Sequence, residues 1–313
     1  MSDALVLACG ADESYAMPLS VTLHTALTHL DSDAGVDLYV VDGGISGESK
    51  RRIERVVETS PPSVRLQWET VDMDAVSDLP THEWINTTTY LRLFIPEIVP
   101  DSARRALYLD SDLQVEADLS KLWATDLNGH ALAAVQAYGT PYVSSDLGLS
   151  TYEDLGYDPD TPYFNAGILL LNLDRWRSED LSAQVVRYLR EYEEQVQMVD
   201  QEGLNAVLAE DWKALDLRWN VMSHLVNFER WPETPFKERV RPRREQLLSD
   251  PFIYHFAGGS KPWQIACEHP AKLDWIGYLW ESGWFSPAER LAWFTEWFAR
   301  YGWWRSKTTL GLS

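Results

Sequence analysis

Short apolar runs alternate with amphipathic stretches through the first two thirds of the chain. Leu5-Val6-Leu7-Ala8 reads as a buried strand, Leu19 to Leu30 as a helix, Leu38-Tyr39-Val40-Val41 as a second strand, and Glu48 to Glu58 as a polar-faced helix. Val64 to Trp68 alternates as a third strand. This βαβαβ order predicts an α/β protein with a Rossmann-like, mostly parallel central sheet and helices on both faces, its ligands binding beyond the carboxyl ends of the strands. Further along, Thr87 to Ile95 looks helical with Pro96 and Pro100 at its end, and Ala106 to Leu109 suits a central strand. Gly167 to Asn172 reads as a strand, Leu181 to Val196 as a helix, and another helix opens near Asp200. The segment from Tyr138 to Pro162, rich in Pro, Gly and Asp toward its end, is a candidate mobile loop over a site. From Pro270 onward aromatics crowd an amphipathic helical pattern, dividing the chain into residues 1–269 and an aromatic-rich helical extension, 270–313.

Composition narrows the partners. A length of 313 residues accommodates one large α/β domain with a decorated end. No apolar run approaches the roughly 20 residues needed to span a bilayer, and Asp3 stands where a secretory signal would be basic, so a cytoplasmic location is expected. Cys9 and Cys267 read as ordinary packed residues. A formal charge of −21 opposes binding to nucleic-acid phosphates.

Candidate chemistry lies in three places. Four Asp-x-Asp triplets occur: Asp31-Ser32-Asp33, Asp72-Met73-Asp74, Asp110-Ser111-Asp112 and Asp158-Pro159-Asp160. Only the third directly follows a strongly apolar strand, and in an extended chain residues two apart point the same way, so both its acids could face one hard divalent cation. Those acids could equally cap the following turn. In the second place, Phe252 to Trp263, a strand ends in His255 and opens into Gly258-Gly259, where backbone can approach a phosphate and Lys261 can balance its charge. An imidazole beside the carboxylates favours Mn, with Mg as the alternative. The third place pairs Asn165, just ahead of a buried strand, with Asp200-Gln201 opening a helix; these groups can hydrogen-bond sugar hydroxyls.

Four segments taken together resemble glycosyltransferase family 8, the retaining enzymes that include bacterial lipopolysaccharide galactosyl- and glucosyltransferases, glycogenin and galactinol synthase. They are Tyr108-Leu109-Asp110-Ser111-Asp112, Tyr163-Phe164-Asn165-Ala166-Gly167, Asp200-Gln201 and His255 to Trp263. The resemblance runs in order from about Leu5 to Trp263. It implies a GT-A fold in residues 1–269, a UDP-hexose donor, Mn, and a glycan, lipid-linked or protein-linked acceptor. By position, Asp110, Asp112 and His255 match the metal ligands, and Gly258 and Lys261 the diphosphate site. Ser111, between the acids, falls among the donor contacts. Ala8 to Tyr15 looks like the nucleotide-binding loop, with Asp12 addressing uracil and Ser14 standing where an asparagine is common. Arg92, in Thr89 to Leu93, matches an arginine that reaches the diphosphate or sugar. Asn165, Asp200 and Gln201 match residues around the transferred sugar, and the amide oxygen of Gln201 is expected to stabilise the near face of an oxocarbenium-like centre.

Rival readings are a sugar nucleotidyltransferase, a glycoside hydrolase and a non-catalytic nucleotide-sugar-binding protein. The first would be expected to carry a Gly-rich, Arg-containing loop where this chain has Ala8-Cys9-Gly10-Ala11-Asp12, and the second would work without nucleotide or metal. Trp293, Trp297, Trp303 and Trp304 beside Arg300, Arg305 and Lys307 suit either an interfacial helix giving peripheral contact with the inner membrane face or packing against the catalytic domain or another subunit. The acidity, with 20 arginines and 7 lysines as the only strong bases, suits a high-salt milieu that screens self-repulsion. The expected outcome is an unfolding midpoint that rises between low and molar salt; an unchanged midpoint would contradict it.

Overall fold

The computed structural model describes residues 4–31, 35–61, 63–81 and 87–309. In chain order its strands are β1 (Leu5–Ala11), β2 (Val36–Asp42), β3 (Val64–Glu69), β4 (Arg105–Leu109), β5 (Leu113–Val115), β6 (Leu132–Gln136), β7 (Phe164–Asn172), β8 (Trp212–Ala214), β9 (Val221–Met222) and β10 (Ile253–His255). Seven form one sheet in the order β3-β2-β1-β4-β7-β6-β8. All its pairings are parallel except those of β7, which runs against both β4 and β6. The mostly parallel α/β architecture is therefore present, with one reversed strand, β7, between β4 and β6.

Both faces of this sheet are covered, which is why its strands are apolar without alternation. Leu5, Leu7 and Cys9 of β1 join one core with Leu107, Leu109, Ile168 and Leu170; Val6 and Ala8 join another with Ala106, Tyr108, Leu169 and Leu171. The helix Ala16–Thr28 buries Leu19, Leu23 and Leu27 in the first core, and the helices Leu181–Glu191 and Val199–Leu208 bury Val185, Leu189 and Leu204 in the second.

The reversal of β7 matters for the site. It brings the start of that strand, Asn165 to Gly167, to the edge where β4 ends, and Asp110 N–H donates to the Gly167 carbonyl at 2.9 Å. A second sheet, in the order β5-β10-β9, sets His255 opposite Leu113, immediately after the acidic triplet, and Phe256 N–H donates to the Asp112 carbonyl at 3.0 Å. The parallel pairing of β10 with β9 sets His255 beside Met222, two residues after Asn220.

Some elements differ from their sequence pattern. The stretch expected as a helix from Thr87 is a 3₁₀ helix, Thr87–Phe94, that passes into a short α-helix at Ile95–Ile98, with Pro96 in its first turn. The helix from Leu181 stops at Glu191 rather than Val196. The expected loop over a site, 138–162, is tied down: Val143 N–H donates to the Thr161 carbonyl at 2.9 Å, Tyr163 N–H to the Pro141 carbonyl at 3.0 Å, and Val143 and Leu149 are buried.

The aromatic-rich segment forms the helices Lys272–Glu281 and Pro287–Thr309. Trp275, Ile276, Leu279, Trp284, Phe294 and Trp297 are buried in the same core as β1. Lys272 helps to fix the junction, its ammonium donating to the Ile265 carbonyl at 2.6 Å and lying 4.4 Å from the Tyr301 ring centroid. Leu291, Phe298 and Trp303 remain exposed. Among the described residues no helix is long and apolar enough to cross a membrane.

Because Trp275 is fully buried in the shared core, Trp275→Ala should cost about 3–5 kcal/mol in urea unfolding and leave a single transition. A loss below about 1 kcal/mol, or a separate transition, would show that the extension is not part of that core.

Candidate active site

The acidic triplet is a tight turn, not an extended strand end. β4 stops at Leu109, the chain turns through Asp110 to Asp112, and β5 begins at Leu113. The expectation that strand alternation aims both acids is replaced by a turn that folds them toward the same point. Ser111 stitches that turn to β1, donating from its hydroxyl to the Gly10 carbonyl at 2.7 Å, and Thr22 donates to the Ser111 carbonyl at 3.0 Å. The hydroxyl of Ser111, a residue expected among the donor contacts, is thus bound to the scaffold. Two other triplets cap locally, with Asp74 N–H donating to Asp72 and Asp160 N–H to Asp158. Asp31-Ser32-Asp33 lies partly outside the described residues.

Each acid of the central triplet divides its oxygens between two tasks. Asp110 Oδ1 accepts from the Tyr108 hydroxyl at 2.6 Å and lies 3.1 Å from Arg92, while its Oδ2 is 3.7 Å from His255 Nε2. Asp112 Oδ2 pairs with Lys261 at 2.5 Å, while its Oδ1 is 3.5 Å from the same Nε2. Burial alone would raise the Asp112 carboxyl; the Lys261 ammonium beside it overcomes that and holds the group well below the usual carboxylate range.

Two inner carboxylate oxygens and one ring nitrogen therefore converge, with ligand atoms all within 4.8 Å of one another. Neighbouring ligands of a hexacoordinate divalent ion at about 2.1–2.2 Å lie roughly 3 Å apart, so closing these separations takes only small side-chain movements. The mixed oxygen and imidazole set fits a divalent transition-metal ion. Gly167 leaves the room: a Cβ there would stand 2.3 Å from His255 Cε1 and 2.8 Å from Asp110 Oδ2.

The sugar-side residues also come together. Asn165 Nδ2 donates to Gln201 Oε1 at 2.8 Å, and Ala166 N–H donates to the same oxygen at 3.1 Å. That oxygen thus accepts two hydrogen bonds within the protein, which fix the direction of the Gln201 amide. Arg92 is buried between acids, 2.9 Å from Asp200 Oδ2 and 3.1 Å from Asp110, and it donates to the Ala166 carbonyl at 2.5 Å. It acts here as a bridge joining the two acids. Asp200 also accepts from the Thr89 hydroxyl, yet burial outweighs Arg92 and Thr89 and pushes its carboxyl above the ordinary value.

On the N-terminal loop, Asp12 Oδ1 accepts from Ser14 N–H at 2.9 Å and from its hydroxyl at 2.6 Å, capping the turn Glu13–Tyr15. Tyr15 brings this loop to the second constellation, its ring 5.9 Å from that of Trp263 and 5.8 Å from the Lys261 ammonium. Gly258, at φ +90° with open space where a Cβ would project, leaves its backbone accessible on the same loop as Lys261. Tyr15, Thr89 and Tyr108 lie within segments that the sequence singles out, though without a role of their own, whereas Asn220 carries no motif and escapes a reading of the sequence.

The fold is of GT-A type. Residues 6–267 match the sequence profile described as Glycosyl transferase family 8, and the chain belongs to that family. It is 30% identical over 282 residues to General stress protein A of Bacillus subtilis, covering 89% of this chain and 94% of the relative. It is 23% identical to the lipopolysaccharide 1,2-glucosyltransferase of Escherichia coli, over 86% of this chain and 76% of that protein. The solved galactosyltransferase LgtC, in complex with donor and acceptor sugar analogues, superimposes with a TM-score of 0.73 at 25% identity, covering 88% of this chain and 95% of LgtC. The protein is thus an enzyme, a hexosyltransferase, and the non-catalytic and nucleotidyltransferase readings fall away.

The crowding at Gly167 yields a sharp expectation. Gly167→Ala should lower turnover by about 100-fold or more by displacing His255 and Asp110, with the far-ultraviolet circular dichroism unchanged. Activity within threefold of wild type would contradict the packing described.

Proposed function

We propose that the protein transfers a hexose, with retention, from UDP-glucose or UDP-galactose to an acceptor hydroxyl on a glycan, lipid or protein, assisted by Mn. The observation that carries this reading is the convergence of Asp110 Oδ2, Asp112 Oδ1 and His255 Nε2 beside Lys261. Asp110, Asp112 and His255 would hold the cation, which supplies charge neutralisation for a departing diphosphate. The imidazole ligand favours Mn over Mg.

The chain's own residues divide the remaining work. Lys261, drawn to Asp112, is positioned to follow the negative charge onto the leaving phosphate, and the open backbone at Gly258 admits it closely. Asp12 and Ser14, on the loop packed against Trp263 through Tyr15, address the uracil side. Arg92 fixes the spacing between Asp110 and Asp200. Asn165, Asp200 and Gln201 line the sugar side. Asp200, buried and engaged by Arg92 and Thr89, is poorly placed to attack, which favours same-face transfer with the leaving phosphate oxygen taking the acceptor's proton. Residues 1–269 form the catalytic unit and 270–313 brace it. A cytoplasmic enzyme of this kind could use the exposed Leu291, Phe298 and Trp303 for peripheral contact at the inner membrane face when its acceptor is lipid-linked.

The test is UDP release from UDP-glucose and UDP-galactose, with and without Mn and candidate acceptors. Mn-dependent release that falls about 100-fold or more in a folded Asp112→Ala variant is expected. Full activity in that variant, or release indifferent to Mn, would overturn the assignment.

A further inference from the structure

A chain of side-chain amides runs behind the metal cluster. His255 Nδ1 lies 3.0 Å from Asn220 Oδ1, Asn220 Nδ2 donates to Asn165 Oδ1 at 2.8 Å, and Asn165 Nδ2 donates to Gln201 Oε1 at 2.8 Å. Asn220 is completely buried and His255 nearly so. An amide can often be turned end for end, but backbone donors fix the direction here. Gly167 N–H donates to Asn165 Oδ1 at 3.0 Å, and Ala166 N–H donates to Gln201 Oε1. With Asn165 presenting its oxygen, Asn220 must present its NH₂ group, leaving its own oxygen for His255. Nδ1 must then carry a hydrogen, and a neutral ring has only one to carry. Nε2 is left with a free lone pair, directed at the inner oxygens of Asp110 and Asp112. Free neutral histidine favours the opposite tautomer, so the choice is imposed by the surroundings.

We infer that Asn220 is a positioning residue that selects the metal-binding tautomer of His255 and, through Asn165, couples the cation site to the sugar-side amides. The inference rests on the metal reading proposed above. One residue, donating at one end and accepting at the other, holds both halves of the site in register.

Two variants separate the two ends. Asn220→Ala removes both, and Asn220→Asp keeps an acceptor for His255 Nδ1–H while losing the donor to Asn165. Mn²⁺ binding is measured calorimetrically on the full chain without donor sugar, alongside kcat and KM. Asn220→Ala should weaken Mn²⁺ about 10–100-fold. Asn220→Asp should bind Mn²⁺ no more than about threefold more weakly than wild type yet lose about tenfold or more in kcat, a split that general loosening of the fold would not produce. Mn²⁺ affinity within twofold of wild type in Asn220→Ala, or wild-type kcat in Asn220→Asp, would overturn the inference. If Asn220→Ala fails to fold, the Asp variant decides alone, weak Mn²⁺ binding or unchanged kcat counting against. Absence of Mn²⁺ binding by the wild-type protein would instead overturn the metal reading itself.

Discussion

Two carboxylates turned toward one point repel each other, and the surroundings of Asp110 and Asp112 offset that repulsion from outside. Arg92 and Tyr108 hold the outer oxygen of Asp110, and Lys261 holds that of Asp112. Each acid is thereby pinned by a group behind it, leaving one oxygen facing His255. In a buried setting such pairs cost desolvation that only good geometry repays, so the site is stable as a set and vulnerable piece by piece. Removing either cation would leave a buried acid uncompensated.

The topology is what makes that set possible. A wholly parallel sheet would carry Asn165 to the opposite edge from Asp110; the reversal of β7 brings it to the same edge. The small sheet then delivers His255 from a point about 140 residues further along the chain, by pairing β10 with the strand that follows the acidic turn. Gly167 is where these elements pass so closely that no side chain fits. The helices Lys272–Glu281 and Pro287–Thr309 and the link between them contribute from outside, placing Trp275, Trp284 and Trp297 in the core that β1 shares.

Much of this was legible in the sequence because burial leaves a pattern. The apolar run Ala106 to Leu109 singled out one triplet from four, and the strand ending at His255 before two glycines marked the second constellation. Orientation was not legible. Extended alternation and a tight turn both bring Asp110 and Asp112 together, and only the Ser111 and Thr22 hydrogen bonds distinguish them. The sequence marks Gln201 as a sugar-side residue but does not show that two donors from β7 engage its oxygen, since hydrogen-bond direction depends on partners distant in sequence. Asn220 gave no signal, because a lone asparagine ahead of a two-residue strand looks like any turn residue; its role arises from contacts with His255 and Asn165, 35 and 55 positions away.

The central claim, that the three inner atoms form one cation site, is tested most directly by anomalous diffraction at the manganese edge from crystals grown with Mn²⁺ and UDP. The account predicts one dominant peak within about 2.3 Å of Asp110 Oδ2, Asp112 Oδ1 and His255 Nε2. A peak elsewhere, or none at full Mn²⁺ loading, would contradict it.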